Sequence, residues 1–321
     1  MSGTVQADLA QHQPVDRETQ RAQASREELV ELLSRAISTD GTVTPLAGVL
    51  FRRHSAPTEL GHGVSQPSFC VIAQGSKDIL LGESDYRYDP AHYLITSTAL
   101  PVATRIAEAT PERPFLGFVL RLDPALVGSV MVEAGHAAPR VTEAVRAINV
   151  SLLDAGLLDA VVRLVRLVDA PTEASFLAPH IIREIVYRLL LGKQGARLGQ
   201  ITSLGGTTHR IAAAVERLRR DFDKPLRIED IARDLGMSAS GFYQHFKAVT
   251  AMSPLQFQKQ LRLQEARRLM LTEDVDAASA GRSVGYDDAS HFNREYKRLF
   301  GAPPLRHISV MHDGVEAAAG L

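Results

Sequence analysis

The 321-residue sequence predicts an α+β chain. The N-terminal half should form a β-sandwich or barrel with accessory helices, and the C-terminal half an all-helical domain with two helix–turn–helix units. Three observations carry this. Short β-type runs recur between residues 43 and 122, helical periodicity takes over from Pro124, and a stretch of the C-terminal region repeats itself fifty residues later.

The composition suits such a chain. Hydrophobic residues make up 45% and charged residues 23%, the balance of a folded protein, which excludes bulk disorder and a low-complexity filament. The length leaves room for two domains of about 100–200 residues. The single Cys70 excludes an intramolecular disulfide framework and a Cys-rich zinc site, and one thiol in so long a chain suits the reducing cytoplasm. Met1 to Ala7 has neither the basic start nor the apolar core of a signal peptide. No run of about 18 apolar residues is present to span a membrane. The net charge of −1 favours no polyanion globally, but residues 209–312 hold 17 Lys and Arg against 13 Asp and Glu, a net of +4 that leaves −5 on the rest. That asymmetry points weakly to nucleic acid at the C-terminal end.

Residues 1–42 should be a polar tail and a short helix over 26–36, capped by Ser25 with Glu28 as capping-box partner and Leu29, Leu32 and Leu33 as its apolar face. Residues 43–195 then hold β-type runs at Val49–Arg53, Phe69–Gln74, Asp78–Leu81, Tyr86–Tyr88, Tyr93–Ser97, Ala103–Ile106 and Phe115–Leu122, punctuated by Gly75-Ser76, Gly82-Glu83 and Asp89-Pro90. Short strands at roughly 8–12-residue spacing suggest a sandwich or barrel. Leu152, Leu153, Leu157, Val161, Leu164, Val165 and Leu167 keep a helical period that Pro171 stops, and a second helix runs from Leu177 to Leu191 before Gly192. These two helices should pack on each other or on a second subunit, giving a homodimer through Leu152–Leu191 or the barrel. Residues 196–208, with Gly205-Gly206, read as a linker.

Residues 209–312 carry the most specific signal. Ser238 to Lys247 is matched by Asp288 to Lys297, with aromatic pairs Phe242/Phe246 and Phe292/Tyr296, and Pro254 and Pro304 at the same offset. One supersecondary unit is therefore used twice, over about 228–249 and 277–300. In the first, Ile228, Ile231, Ala232 and Leu235 bury a short helix, Gly236 makes the turn, and Ser238 caps the next helix. That helix turns Ala239, Ser240, Tyr243, Gln244 and Lys247 outward. In the second, Asp288 is the cap, and Ala289, Ser290, Asn293, Arg294 and Lys297 face outward. Gln and Asn pair with adenine, Arg with guanine, and Ser with either, while Lys247 and Lys297 are placed for phosphate. The bland alternative is a helical bundle with polar outer faces. Two matched units joined by a basic helix over Leu255–Leu271, with Arg262, Arg267 and Arg268, favour double-stranded DNA.

The run from Gln260 to Met270, followed by Val284-Gly285-Tyr286, Ser290, Phe292, Arg294, Tyr296-Lys297, Phe300-Gly301 and Pro303-Pro304, resembles the AraC/XylS family of bacterial transcription regulators. Pro67 to Lys77, Tyr88-Asp89-Pro90 and Leu100-Pro101-Val102 are similar to the N-terminal domain of AraC-type regulators, a cupin-like β-barrel. The resemblance implies two helix–turn–helix units in adjacent major-groove segments, a sensing or dimerising barrel with a small-molecule effector, and action with RNA polymerase at promoters. Two departures stand out: Ala251 where the family usually has Gly, and Ala280-Gly281 where a bulkier pair is usual. The second predicts a less tightly packed second unit.

No cofactor and no metal are expected, since His54, His62 and His92 lack the spacing of a cupin metal set, and His136 and His180 are isolated. Cys70, in an apolar run, is either a small core residue or an effector-sensing thiol activated by Lys77. Arg105, Arg113 and Arg121 are candidates to pair an acidic effector, and a salt-bridged role is the commoner one. No nucleophile elbow or phosphate-cradling loop is present, so the chain is expected not to be an enzyme. The alternatives are a cupin-type enzyme fused to a DNA-binding domain and an architectural DNA-binding protein without effector.

Overall fold

The computed structural model describes residues 13–135, 146–202, 207–273 and 275–319. His136 and the Gly205-Gly206 pair lie outside the described residues. The elements in chain order are α1 (Gln13–Ala36), β1 (Gly41–Leu46), β2 (Val49–His54), β3 (Gly61–Ser65), β4 (Ser68–Gln74), β5 (Ser76–Leu81), β6 (Ser84–Tyr88), β7 (His92–Thr96), β8 (Leu100–Glu108), β9 (Phe115–Arg121), α2 (Pro124–Glu133), β10 (Ile148–Leu152), α3 (Ala155–Arg166), α4 (Pro171–Leu191), α5 (Gly195–Thr202), α6 (Thr207–Arg220), α7 (Ile228–Asp234), α8 (Ala239–Thr250), α9 (Pro254–Thr272), α10 (Ala277–Ser283), α11 (Ala289–Phe300) and α12 (Pro304–Ala319).

The strands form two antiparallel sheets, not one closed barrel. A six-stranded sheet has the order β1-β2-β9-β4-β7-β10, and a four-stranded sheet the order β3-β8-β5-β6. Side chains alternate across each strand, and in the larger sheet both faces are used. Val49, Phe51, Phe69, Val71, Tyr93, Ile95, Phe118 and Leu120 join a core with α1, α3 and α4. Their neighbours Leu50, Arg52, Cys70, Leu94, Val119 and Arg121 line a cavity, across which stand Lys77 and Ile79 of β5 and Val102 and Thr104 of β8.

Three local expectations are corrected. Helix α1 starts at Gln13, so Ser25 is interior to it and caps nothing. Glu28 instead accepts a fork from Arg166 of α3, at 2.5 and 2.7 Å. Residues 148–152 are strand, pairing with β7, and helix α3 begins behind Asp154, whose carboxylate caps Leu157 N–H at 2.9 Å. The start of the expected linker is helix α5, with Leu198 buried. Its Arg197 donates to the Arg146 carbonyl at 2.6 Å and to Gln194 Oε1 at 2.8 Å. Helices α3 and α4 do pack on each other, with α1 beside α3, and Pro171 opens α4 at its first turn, where its missing N–H costs nothing.

The two halves share buried contacts. Ile79, Leu81, Tyr88 and Leu100 belong to the same apolar cluster as Ile231, Phe242, Phe246 and Met252. Ala147 N–H donates to the Val249 carbonyl at 3.0 Å. Beside β3, the His62 ring meets Phe300 edge-on at 5.0 Å, and Arg267 donates to the His62 carbonyl.

Candidate nucleic-acid interface and effector cavity

Each helix–turn–helix unit is assembled by a turn, a cap and an aromatic pair. Gly236 and Gly285 have φ of +63° and +85°, a region open to glycine at little cost. Space adds a second reason at Gly285, where a Cβ would lie 2.1 Å from the Asp223 carbonyl oxygen. Ser238 Oγ accepts Gly241 N–H at 3.1 Å, and Asp288 Oδ1 accepts His291 N–H at 2.5 Å. Phe242 and Phe246 are fully buried, as are Phe292 and Tyr296. With those anchors inward, Ser240, Tyr243, Gln244 and Lys247 of α8 are all exposed, and so are Ser290, Asn293, Arg294 and Lys297 of α11. The eight side chains therefore stand on two outward helical faces, each rich in groups that can read base edges or hold phosphate.

The arginines of α9 do something else. Arg262 donates to the carbonyls of Phe222 at 2.6 Å, Gly285 at 2.7 Å, Asp223 at 2.9 Å and Lys224 at 3.0 Å. It thus ties the entry to the first unit to the turn of the second. Arg267 lies over the Phe300 ring at 5.1 Å and against His62. Arg268 is held by Glu265 at 2.7 Å and Glu273 at 3.0 Å. The basic helix therefore joins the units mechanically, through internal partners, instead of offering a row of free cations.

Helix α8 lies beside the other half of the molecule. Tyr243, Gln244 and Lys247 line a cleft of about 410 Å³ whose opposite wall includes Glu83, Ser84 and Arg146. At its edge Gly82 meets the end of α8 so closely that a Cβ would fall 2.5 Å from the Ala251 carbonyl oxygen.

The cavity between the sheets has a volume of about 390 Å³. Cys70 opens onto it, 3.6 Å from Ser68 Oγ. Burial pushes the thiol pKa up, against smaller opposing effects of the Ser68 hydrogen bond and the charges of Lys77 and Arg52. Lys77 is close enough to act, as the sequence suggested, but desolvation wins, and the group at neutral pH is the less reactive thiol. Arg121 lies at the cavity, whereas Arg105 is committed to Asp78 at 2.8 Å. His54 and His62 have depressed pKa values, His62 about 4, both mainly through burial, and His92 bonds Asp89 at 2.7 Å. Arg52 and Tyr88 are cavity residues that the sequence reading missed. The signal was there in the strand phase, since Arg52 alternates with the apolar Val49 and Phe51.

Comparison with known proteins places these features together. The profile of the AraC-type transcriptional regulator N-terminus matches residues 45–197, and that of a helix-turn-helix domain matches residues 231–307. The chain belongs to the AraC/XylS family. Among its relatives, the HTH-type transcriptional regulator ArgR of Pseudomonas aeruginosa is 26% identical over 37% of this chain and 36% of its own length. The MmsAB operon regulatory protein of the same organism is 30% identical over 30% of this chain and 32% of its own length. The alignments thus span about a third of these curated relatives. In fold, the chain is similar to unsaturated fatty acid-bound ToxT from Vibrio cholerae, with a TM-score of 0.52 at 10% identity, over 84% of this chain and 97% of that one.

Both departures from the AraC/XylS pattern have structural outcomes. Ala251 adopts φ +63° at the C-cap of α8, the left-handed conformation that glycine ordinarily supplies. At Ala280-Gly281 the expected looseness is absent: the Phe292 ring sits over Gly281, with Cγ 3.0 Å from where a Cβ would be, and Ala280 and Phe292 are buried. The space that a bulkier pair would take is filled by Phe292 of α11.

Proposed function

We propose that this chain is a sequence-specific promoter-binding transcription regulator. Ser240, Tyr243, Gln244 and Lys247 enter one major-groove segment, and Ser290, Asn293, Arg294 and Lys297 the next. The observation that carries the reading is the outward exposure of all eight side chains on two helices whose aromatic anchors are buried. Lys247 and Lys297 position the helices on phosphate, while Gln244, Asn293 and Arg294 read bases.

A small molecule in the inter-sheet cavity controls this binding, with Cys70 as a neutral contact in its wall. Strand β5 offers the route: Lys77 and Ile79 line the cavity, and the turn directly after Leu81 reaches Ala251 at the end of the first reading helix. An effector acts there by favouring one placement of that turn over another, since a ligand that binds both equally shifts nothing. The protein works in the cytoplasm, with RNA polymerase at promoters and without catalysis. It acts as a homodimer: Phe176, His180, Tyr187 and Leu191 recur along one exposed stripe of α4.

The test is a footprint and a salt titration of the full chain on a duplex selected from random sequence. Protection should cover two successive major-groove faces about one turn, ~34 Å, apart, and log Kd should rise steeply with log salt as counterions are released. A flat salt response, or protection of a single groove, overturns the reading.

A further inference from the structure

The inter-sheet cavity has an uncompensated charge. Among the described residues its lining includes Lys77, Arg52 and Arg121 and no Asp or Glu. Lys77 is 9% exposed and has no hydrogen-bond or ion-pair partner among the described residues. The neighbouring acid in sequence cannot help. Asp78 points to the other face of β5, where Arg87 and Arg105 each hold it at 2.8 Å. The remaining titratable groups on the cavity are neutral at pH 7. His62 on β3 is unprotonated, with its pKa near 4, and burial raises the pKa of both Cys70 on β4 and Tyr88 on β6. Lys77 itself falls from 10.5 to about 8, through burial first and then the nearby charge of Arg52, so it remains mostly an ammonium at neutral pH. A buried cation without a counter-charge is costly, and its retention beside a second cation in a hollow of ligand size asks for an anion. Leu50, Ile79, Leu94, Val102 and Val119 line the cavity too, beside polar Ser65, Gln66, Ser68 and Thr104, and give an apolar body a surface to lie against behind the charge.

We infer that the cavity binds a small organic carboxylate, its carboxylate between Lys77 and Arg52 and its hydrocarbon body against Leu50, Ile79, Leu94 and Val119. This deepens the proposed function and rests on it for the claim that the occupant is an effector.

The experiment is calorimetric titration of the full chain with octanoate, 1-octanol and octyl phosphate, alongside the footprint on the selected duplex. Octanoate should bind one per chain, and Lys77→Met should weaken it about 10- to 100-fold, the worth of a charge-assisted contact, while leaving 1-octanol unchanged. Lys77→Arg should retain most of the octanoate affinity. In the unmodified chain, octanoate affinity should fall as pH rises above about 8, where free Lys77 loses its proton, and 1-octanol affinity should not. Equal binding of octanoate and 1-octanol, or indifference to both Lys77→Met and pH, overturns the inference. Tighter binding of octyl phosphate than of octanoate overturns the carboxylate assignment. A footprint without octanoate binding defeats this inference alone, whereas octanoate binding without a footprint defeats the regulatory reading and leaves the anion site standing.

Discussion

Replacing Lys77 with Met should stabilise the ligand-free protein, and the size of the gain follows from the cavity. Lys77 is driven from 10.5 to about 8 on folding, chiefly by burial. At 1.36 kcal/mol per pKa unit, holding the ammonium in that place costs about 3 kcal/mol at pH 7. Between about 8 and 10.5 the unfolded chain keeps a proton that the folded chain has released, so the stability of the unmodified protein rises with pH. The penalty is therefore full below about pH 8 and gone above the unfolded value. Lys77→Met removes it, filling the same space with an apolar chain. Urea unfolding of both proteins should show the variant ahead by about 3 kcal/mol at pH 7 and by roughly 1 kcal/mol at pH 9.5. A variant less stable than the parent at pH 7, or a gap that does not narrow with pH, would mean that Lys77 has a counter-charge and that the electrostatic account of the cavity is wrong.

Other perturbations test the helical half. Gly285→Val puts a branched side chain at φ +85° and against the Asp223 carbonyl, displacing the loop that Arg262 clasps; a loss of more than about 3 kcal/mol and of DNA binding is expected by unfolding and gel shift. Ala251→Gly should stabilise by about 1 kcal/mol, because a left-handed residue sheds its Cβ strain, and thermal unfolding reads this directly. Phe176→Glu should convert a dimer to a monomer in sedimentation without lowering stability, since Phe176 is 70% exposed.

The parts of the fold that were legible in the sequence are those with buried periodicity. Strands β2, β4, β5, β7, β8 and β9 announce themselves through apolar runs. Strands β1, β3 and β10 were missed, and each is an edge of its sheet, where one side goes unpaired and apolar patterning is weakest. Strand β10 misled further because Leu152 and Leu153 continue the period of α3, although Leu152 is 68% exposed. The choice between one closed barrel and two facing sheets was beyond reach because strand spacing is the same for both. In the helix–turn–helix units the turns, caps and anchors fall where the repeat put them, since all are local features. The role of Arg262 and Arg267 was not legible: their hydrogen-bond partners are 23 to 205 residues away, and composition alone cannot tell a phosphate ligand from a carbonyl clasp. Cys70 is placed in the N-terminal half by its strand, but its protonation depends on burial that only the packed cavity defines.

Binding-site selection with quantitative affinities separates base reading by α11 from phosphate positioning by its lysine. Full-length protein carrying Arg294→Ala should lose ~1–3 kcal/mol at one base position and accept other bases there. Lys297→Ala should weaken all sequences alike and reduce the salt slope by about one. Recovery of the unmodified motif by Arg294→Ala, with undiminished preference at every position, would contradict the assignment of that helical face to the major groove.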